Sequence, residues 1–396
     1  MAEETRAAGV FDIVGRSLKL DSKEDIAPYL VELEAIDPLY EVHLGGNTLG
    51  VDACVALADV LRRKKSLRVA DFADIFTGRL ITEIPEALRA LCDALLDHTQ
   101  LAEIDLSDNA FGGRSAEPMV RLLSENHHIA VLKLSNNGLG VAGGTIVADA
   151  LGAAAAKLRD AQQPSRLRTV ICGRNRLENG SSAAWARAFA AHGGLVDVRL
   201  YQNGIRMEGV ETLCRGLAKC ANLEVLDLQD NTATLRGARA VADALPHWPH
   251  LRVLNLSDTL LKSKGGVLLF DALRSGHGRT LQALHLQYCD LNRNALHSLG
   301  SAVELHLDQL TLLEINGNWA DEDDECITKI TSSLDKWGNS DALDELDEMD
   351  PDGEEEEEDG EEEDEDEGEE PTSHKRGAAD NEADALADEL QQTHIS

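Results

Sequence analysis

The sequence is poor in the features that mark a catalyst. It holds no GxxxxGK[ST] phosphate loop, no HExxH and no GxSxG, so the common nucleotide-, zinc- and serine-dependent chemistries have no motif to stand on. Its seven cysteines, Cys54, Cys92, Cys172, Cys214, Cys220, Cys289 and Cys326, are odd in number and scattered, with no CxxC pair. No Cys/His cluster has metal-site spacing, and neither His127–His128 nor His247 with His250 has convergent partners. The expectation is no metal site and no disulfide framework, in a reducing, aqueous setting. The opening MAEETRAAGVFDIVG lacks a basic start followed by an apolar core, and no apolar run reaches about 18 residues. That predicts neither a signal peptide nor a membrane span.

Basic residues are missing where the acids crowd. From Asp341 to Glu370, 22 of 30 residues are Asp or Glu and none is Lys or Arg. From Asp341 to the end, 27 acids against Lys375 and Arg376 carry −25 of the chain's −35, leaving −10 for residues 1–340. Such a run buries too little apolar surface to offset the entropy of ordering it, so the sequence predicts a disordered acidic tail over 341–396. The charge argues against nucleic acid, which needs a basic face, and favours basic protein partners.

What is present is a repeat. The pattern LxLxxNxL recurs as VHLGGNTL ending at Leu49, IDLSDNAF at Phe111, LKLSNNGL at Leu139, VICGRNRL at Leu177 and VRLYQNGI at Ile205. It continues as LDLQDNTA, LNLSDTLL, LHLQYCDL and LEINGNWA, with a degenerate VADFADIF ending at Phe76 and a first copy read as LKLDSKED from Leu18. The sixth position falls at Asn47, Asp74, Asn109, Asn137, Asn175, Asn203, Asn231, Thr259, Cys289 and Asn318, at intervals of 27, 35, 28, 38, 28, 28, 28, 30 and 29. A period of 28 accommodates a strand, a turn and a helix, and it lies in the leucine-rich-repeat range. Helical spacing appears at Val51–Arg62, Glu86–Leu96, Gly209–Ala218 and Gly237–Leu245. The predicted fold is therefore an α/β leucine-rich-repeat solenoid over residues 1–340. It has about eleven strand–helix repeats, a parallel sheet inside, helices outside, and a last helix near Ile327–Trp337 capping the core.

In each LxL the two leucines point inward and the residue between them faces out, while the sixth-position Asn bonds backbone in the turn. The exposed strand positions, Lys133, Arg199, Asp227, His285 and Glu314 among them, are polar and of mixed charge, as suits a protein-binding surface. The long interval after Asp74 enlarges the loop DIFTGRLITEIP and displays Arg79, a residue able to pair bidentately with carboxylate or phosphate. An ordinary solvated arginine is the plainer reading. The other long interval, through ALGAAAAKLRDAQQPSRLR, reads as an extended helix and a polar loop.

Several segments go beyond repeat consensus: FADIFTGRLITEIPEALRALCDALL, LSDNAFG, LSNNGLG, ICGRNRLENGS, QNGIRMEGV and LDLQDNT. From about Leu18 to Trp337 the chain resembles the Ran GTPase-activating protein family, in which an acidic stretch after the repeats is also typical. The resemblance implies an activator that stimulates GTP hydrolysis by Ran, on the order of 10⁵-fold for such proteins, and is not itself the hydrolase. It implies no cofactor of its own, since GTP and Mg belong to the partner. The implied partners are Ran in the GTP form and a Ran-binding protein, with this chain a monomer in the cytoplasm, up to the nuclear envelope. The family is understood to orient the GTPase's own glutamine without an arginine finger. Asn136, just ahead of the structural Asn137, maps onto the Asn that contacts this glutamine. Arg79 maps onto the essential arginine, required for activation but not as a finger. The partner-binding set is Asp230, which matches a family contact position, with Asn109 and Lys133. Ile81 departs from relatives that carry Lys there, and the chain looks like the shorter fungal-type form without an added tethering domain. The alternatives are a scaffold such as the ribonuclease inhibitor, which is Cys-rich, or an acidic histone-binding repeat protein, which has fewer and shorter repeats.

Overall fold

The computed structural model describes residues 8–353. Eleven three-residue strands, from Val10–Asp12 to Leu312–Glu314, pair in chain order as one parallel sheet, and each strand buries its middle residue. The register advances by one repeat per strand, as in Leu132 against Val170 and Leu226 against Leu254. A helix follows each strand from Glu41–His43 onward, and consecutive helices pack on one another. The continuous core between the two layers is mostly leucine. No single repeat could hold its apolar face out of water alone, so each one is stable only through its neighbours.

The sixth position stitches the repeats together. Asn137 is fully buried; its Nδ2 donates to Leu134 O at 3.0 Å in its own repeat and to Leu106 O at 2.9 Å in the preceding one. Its Oδ1 accepts from Asn109 N at 2.9 Å. Asn47, Asn109, Asn203 and Asn318 repeat the pattern. At Cys289 the thiol takes over one bond, to Leu256 O at 3.0 Å. Cys220 Sγ donates to Phe189 O at 3.4 Å and Cys172 Sγ accepts from Asn175 Nδ2 at 3.3 Å, while the other four are small apolar fillers. All seven are buried thiols, and burial pushes Cys54, Cys92, Cys172, Cys214 and Cys289 up to about 12.

The structure corrects three expectations. The first strand is Val10–Asp12, not the segment from Leu18, because Val10 pairs with Glu41, a step of 31 residues. Lys19–Leu20 instead forms a small second sheet with Thr48–Leu49. In the third repeat the sixth position is Ile75, not Asp74, since Ala70 pairs with Ile104; Ile75 is fully buried and its N–H donates to Asn109 Oδ1 at 2.9 Å. Third, order continues past residue 340. Leu343 bridges to Leu313, and Leu343, Leu346 and Met349 pack on the core. Asn316 Nδ2 donates to Asp347 Oδ1 at 2.9 Å, Asp350 N donates to Asn318 O at 2.9 Å, and Glu348 meets the Tyr288 hydroxyl. Residues 341–353 thus strap the last repeat, and the expected disordered tail from residue 354 onward lies outside the described residues. The 38-residue interval is filled by the 21-residue helix Gly140–Asp160. By length and composition that helix matches a membrane span, but it is packed between the helices before and after it.

Candidate functional site

One step before the buried ladder, every repeat turns through the left-handed region. Gly15, Gly46, Asp74, Asp108, Asn136, Arg174, Gln202, Asp230, Asp258, Tyr288 and Gly317 all have φ between +48° and +72°. That conformation favours Gly, Asn and Asp and costs other residues steric strain. It also turns the side chain out as its neighbour turns in. Asp108, Asn136, Arg174, Gln202 and Asp258 are exposed, beside the buried Asn109, Asn137, Asn175, Asn203 and Thr259. The result is a column of polar groups along one rim of the sheet.

Asn136 stands in this column as expected. Its backbone N–H donates to Gly173 O at 2.9 Å, which fixes the main chain, and its Nδ2 donates to Asp108 Oδ1 at 2.8 Å. A carboxylate only accepts, so the nitrogen end of the amide must face Asp108, and the oxygen end is left for another donor. Asp230 is half-buried in the same column. It lines a shallow groove of about 350 Å³ with Arg176, Glu178, Gln202 and Asp258.

Arg79 is not displayed. Gly78, at φ +78°, reverses the loop, and the arginine side chain is only 10% exposed. Its guanidinium donates to Thr48 Oγ1 at 2.8 Å and to Thr48 O at 3.0 Å, reaches Leu20 O at 3.5 Å and pairs with Asp21. The carbonyls at the end of the small sheet are the acceptors that draw it back. The hydrogen bond from Arg79 holds the Asp21 carboxyl below its ordinary value. Two apolar residues hold the loop's outer surface instead, Leu80 at 65% and Ile81 at 55% exposure.

Asn109, expected in the partner-binding set, is turned into the solenoid. It is buried, and its amide is consumed by Phe72 O, Leu106 O and the Ile75 N–H. Lys133 lies on the strand face, pairs with Glu103 and sits 3.8 Å from Asp105. Burial works against its charge, but Glu103, Asp105 and Asp71 outweigh that and raise its pKa. Asp105 is itself raised, first by burial, against the bonds from Ser107 and the charge of Lys133. Beyond these positions, the rim presents Asp108, Arg174 and the exposed Arg176, which were not singled out from the sequence. The signal for Asp108 and Arg174 was available, since whatever precedes the ladder position faces out in every repeat; Arg176 follows the ladder Asn175 and carries no such signal. Among the described residues, no group of His, Cys, Asp and Glu side chains is arranged to hold a metal ion.

A strand-and-helix solenoid with a polar rim along one side of its sheet defines a leucine-rich-repeat protein. No family model matches the chain. It is 39% identical over 335 residues to Ran GTPase-activating protein 1 of Saccharomyces cerevisiae, covering 82% of each chain. It is 41% identical over 208 residues to Ran GTPase-activating protein 1 of Xenopus laevis, covering 52% of this chain and 36% of that one. A ribonuclease inhibitor of Sus scrofa is 28% identical over 185 residues, covering 46% of this chain and 37% of that one. The chain belongs to the Ran GTPase-activating protein family.

Proposed function

We propose that this chain activates GTP hydrolysis by Ran, with Asn136 meeting the catalytic glutamine of the bound GTPase. The observation that carries the reading is an exposed amide, locked at main chain and side chain, in a chain 39% identical to a yeast activator along 82% of its length. A glutamine that must hold the attacking water gains from an amide fixed in advance, because orientation is then settled before the reaction rather than during it. The chain supplies no cofactor; GTP and its Mg travel with Ran. Arg79 supports a mechanism without an inserted arginine, since its guanidinium would have to surrender its bonds to Thr48, Leu20 and Asp21 to reach out. Its part is to hold the loop that carries Leu80 and Ile81. Asp230 binds from three repeats further along the rim, Lys133 from the strand face, and a Ran-binding protein assists. The activator works as a monomer in the cytoplasm, up to the nuclear envelope.

The test is single-turnover GTP hydrolysis by Ran with the purified chain. Wild type accelerates hydrolysis, and Asn136→Ala does so roughly 100-fold less at saturation. An inert wild type ends the assignment. Arg174→Ala and Arg176→Ala weaken capture of Ran while preserving the rate at saturation; a collapse of the saturating rate in either would identify an arginine finger and overturn the orientation mechanism.

A further inference from the structure

We infer that Asp108 is a positioning residue for Asn136, and this rests on the reading of Asn136 given above. Among the described residues, Asp108 and Asn136 are the one adjacent pair in the rim column joined side chain to side chain, Nδ2 to Oδ1 at 2.8 Å across a repeat boundary. Both turns are independently anchored: Asp108 N donates to Ser135 O at 2.8 Å and Asn136 N to Gly173 O at 2.9 Å. The carboxylate therefore adds nothing to the backbone path. What it adds is a choice between the two ends of an amide. An Asn side chain with no such neighbour can turn either its oxygen or its nitrogen toward a partner, and only one of the two complements a given end of the partner's glutamine. Asp108 accepts at one end and so assigns the other to the GTPase. Elsewhere in the column a side chain answers within its own repeat, as Thr77 Oγ1 does to Asp74 Oδ1 at 2.6 Å.

Asp108 has φ +61°, so glycine replaces it without strain, and asparagine keeps an acceptor oxygen in the same conformation. In single-turnover hydrolysis at saturating activator, Asp108→Gly lowers the rate roughly tenfold, the scale of a lost hydrogen bond to a charged group. Asp108→Asn restores most of it. Affinity for Ran loaded with a non-hydrolysable GTP analogue, and thermal stability, stay near wild type in both. An unchanged or faster rate in Asp108→Gly, while Asn136→Ala is strongly impaired, overturns the positioning role and leaves the role of Asn136 standing. Failure of Asp108→Asn to rescue also overturns it. If Asn136→Ala itself matches wild type, the parent reading falls and this one falls with it.

Discussion

The fifth and sixth positions of each repeat are chain neighbours with opposite fates. Asn137 is fully buried and cross-links three backbone groups, whereas Asn136 is exposed and makes one side-chain bond. The residue type is the same and the environment differs completely. The fifth position also shows why residue identity alone is weak evidence of function there. Asp and Asn suit a left-handed turn for steric reasons, so Asp108, Asn136, Asp230 and Asp258 are what the backbone asks for in any case. Arg174, Gln202 and Tyr288 are not, and an Arg kept at φ +57° needs a gain outside the turn.

Substituting the two neighbours separately is the strongest way to break this contrast. Asn137→Ala strands Leu106 O, Leu134 O and Asn109 N inside the solenoid and costs about 3 kcal/mol of stability, read by chemical denaturation. Activation per folded molecule survives it below the transition. Asn136→Ala does the reverse, lowering saturating activation by roughly 100-fold, about 2.7 kcal/mol of barrier, with the denaturation midpoint unmoved. Equal effects of the pair on stability would erase the distinction between ladder and rim. Arg79→Ala falls between the two. Loss of its bonds to Thr48 lowers stability by about 1.5 kcal/mol, seen as earlier melting and greater protease sensitivity near Leu20, along with weaker activation. A variant that loses activation without any loss of stability would return Arg79 to the surface.

The smallest effect belongs to His43, on the strand face. Its ring meets Glu41 Oε2 at 3.0 Å and Asp71 Oδ2 at 3.1 Å; burial opposes its charge, the two carboxylates outweigh it, and the pKa rises above 6.5. A raised folded value means the imidazolium's contribution is complete below pH 6.5 and fades as pH climbs through the raised value. Replacing His43 with Asn should therefore destabilise at about pH 6 and be close to neutral at about pH 9. A pH-independent difference would show that packing, not charge, holds that side chain.

The solenoid, its eleven strands and most helix positions follow from the spacing of leucine and asparagine, because burial imposes a strict period on those residues. The sequence misleads where a non-periodic interaction takes over. Ile75 replaces the ladder amide, so the eye settles on Asp74 one residue early. Val10–Asp12 is followed by a loop without the Asn, and the more leucine-like segment at Leu18 draws the assignment. Leu343, Leu346 and Met349 sit among so many acids that average composition hides three apolar anchors. The outward turn of Asn136 was legible because register alone separates it from Asn137. The inward turn of Arg79 was not, since it depends on carbonyls some 31 and 59 residues away in the chain.

The strap over 341–353 has a practical consequence for anyone dissecting the acidic region. Repeats of this kind have no intrinsic stopping point, and the outer edge of Leu312–Glu314 would offer unpaired donors and acceptors to another molecule's strand. Leu343 and its followers occupy that edge. A deletion at the visible start of the acids therefore uncaps a polymerisable end as well as removing charge, and the two outcomes would be confused. A cut after Gly353 separates them.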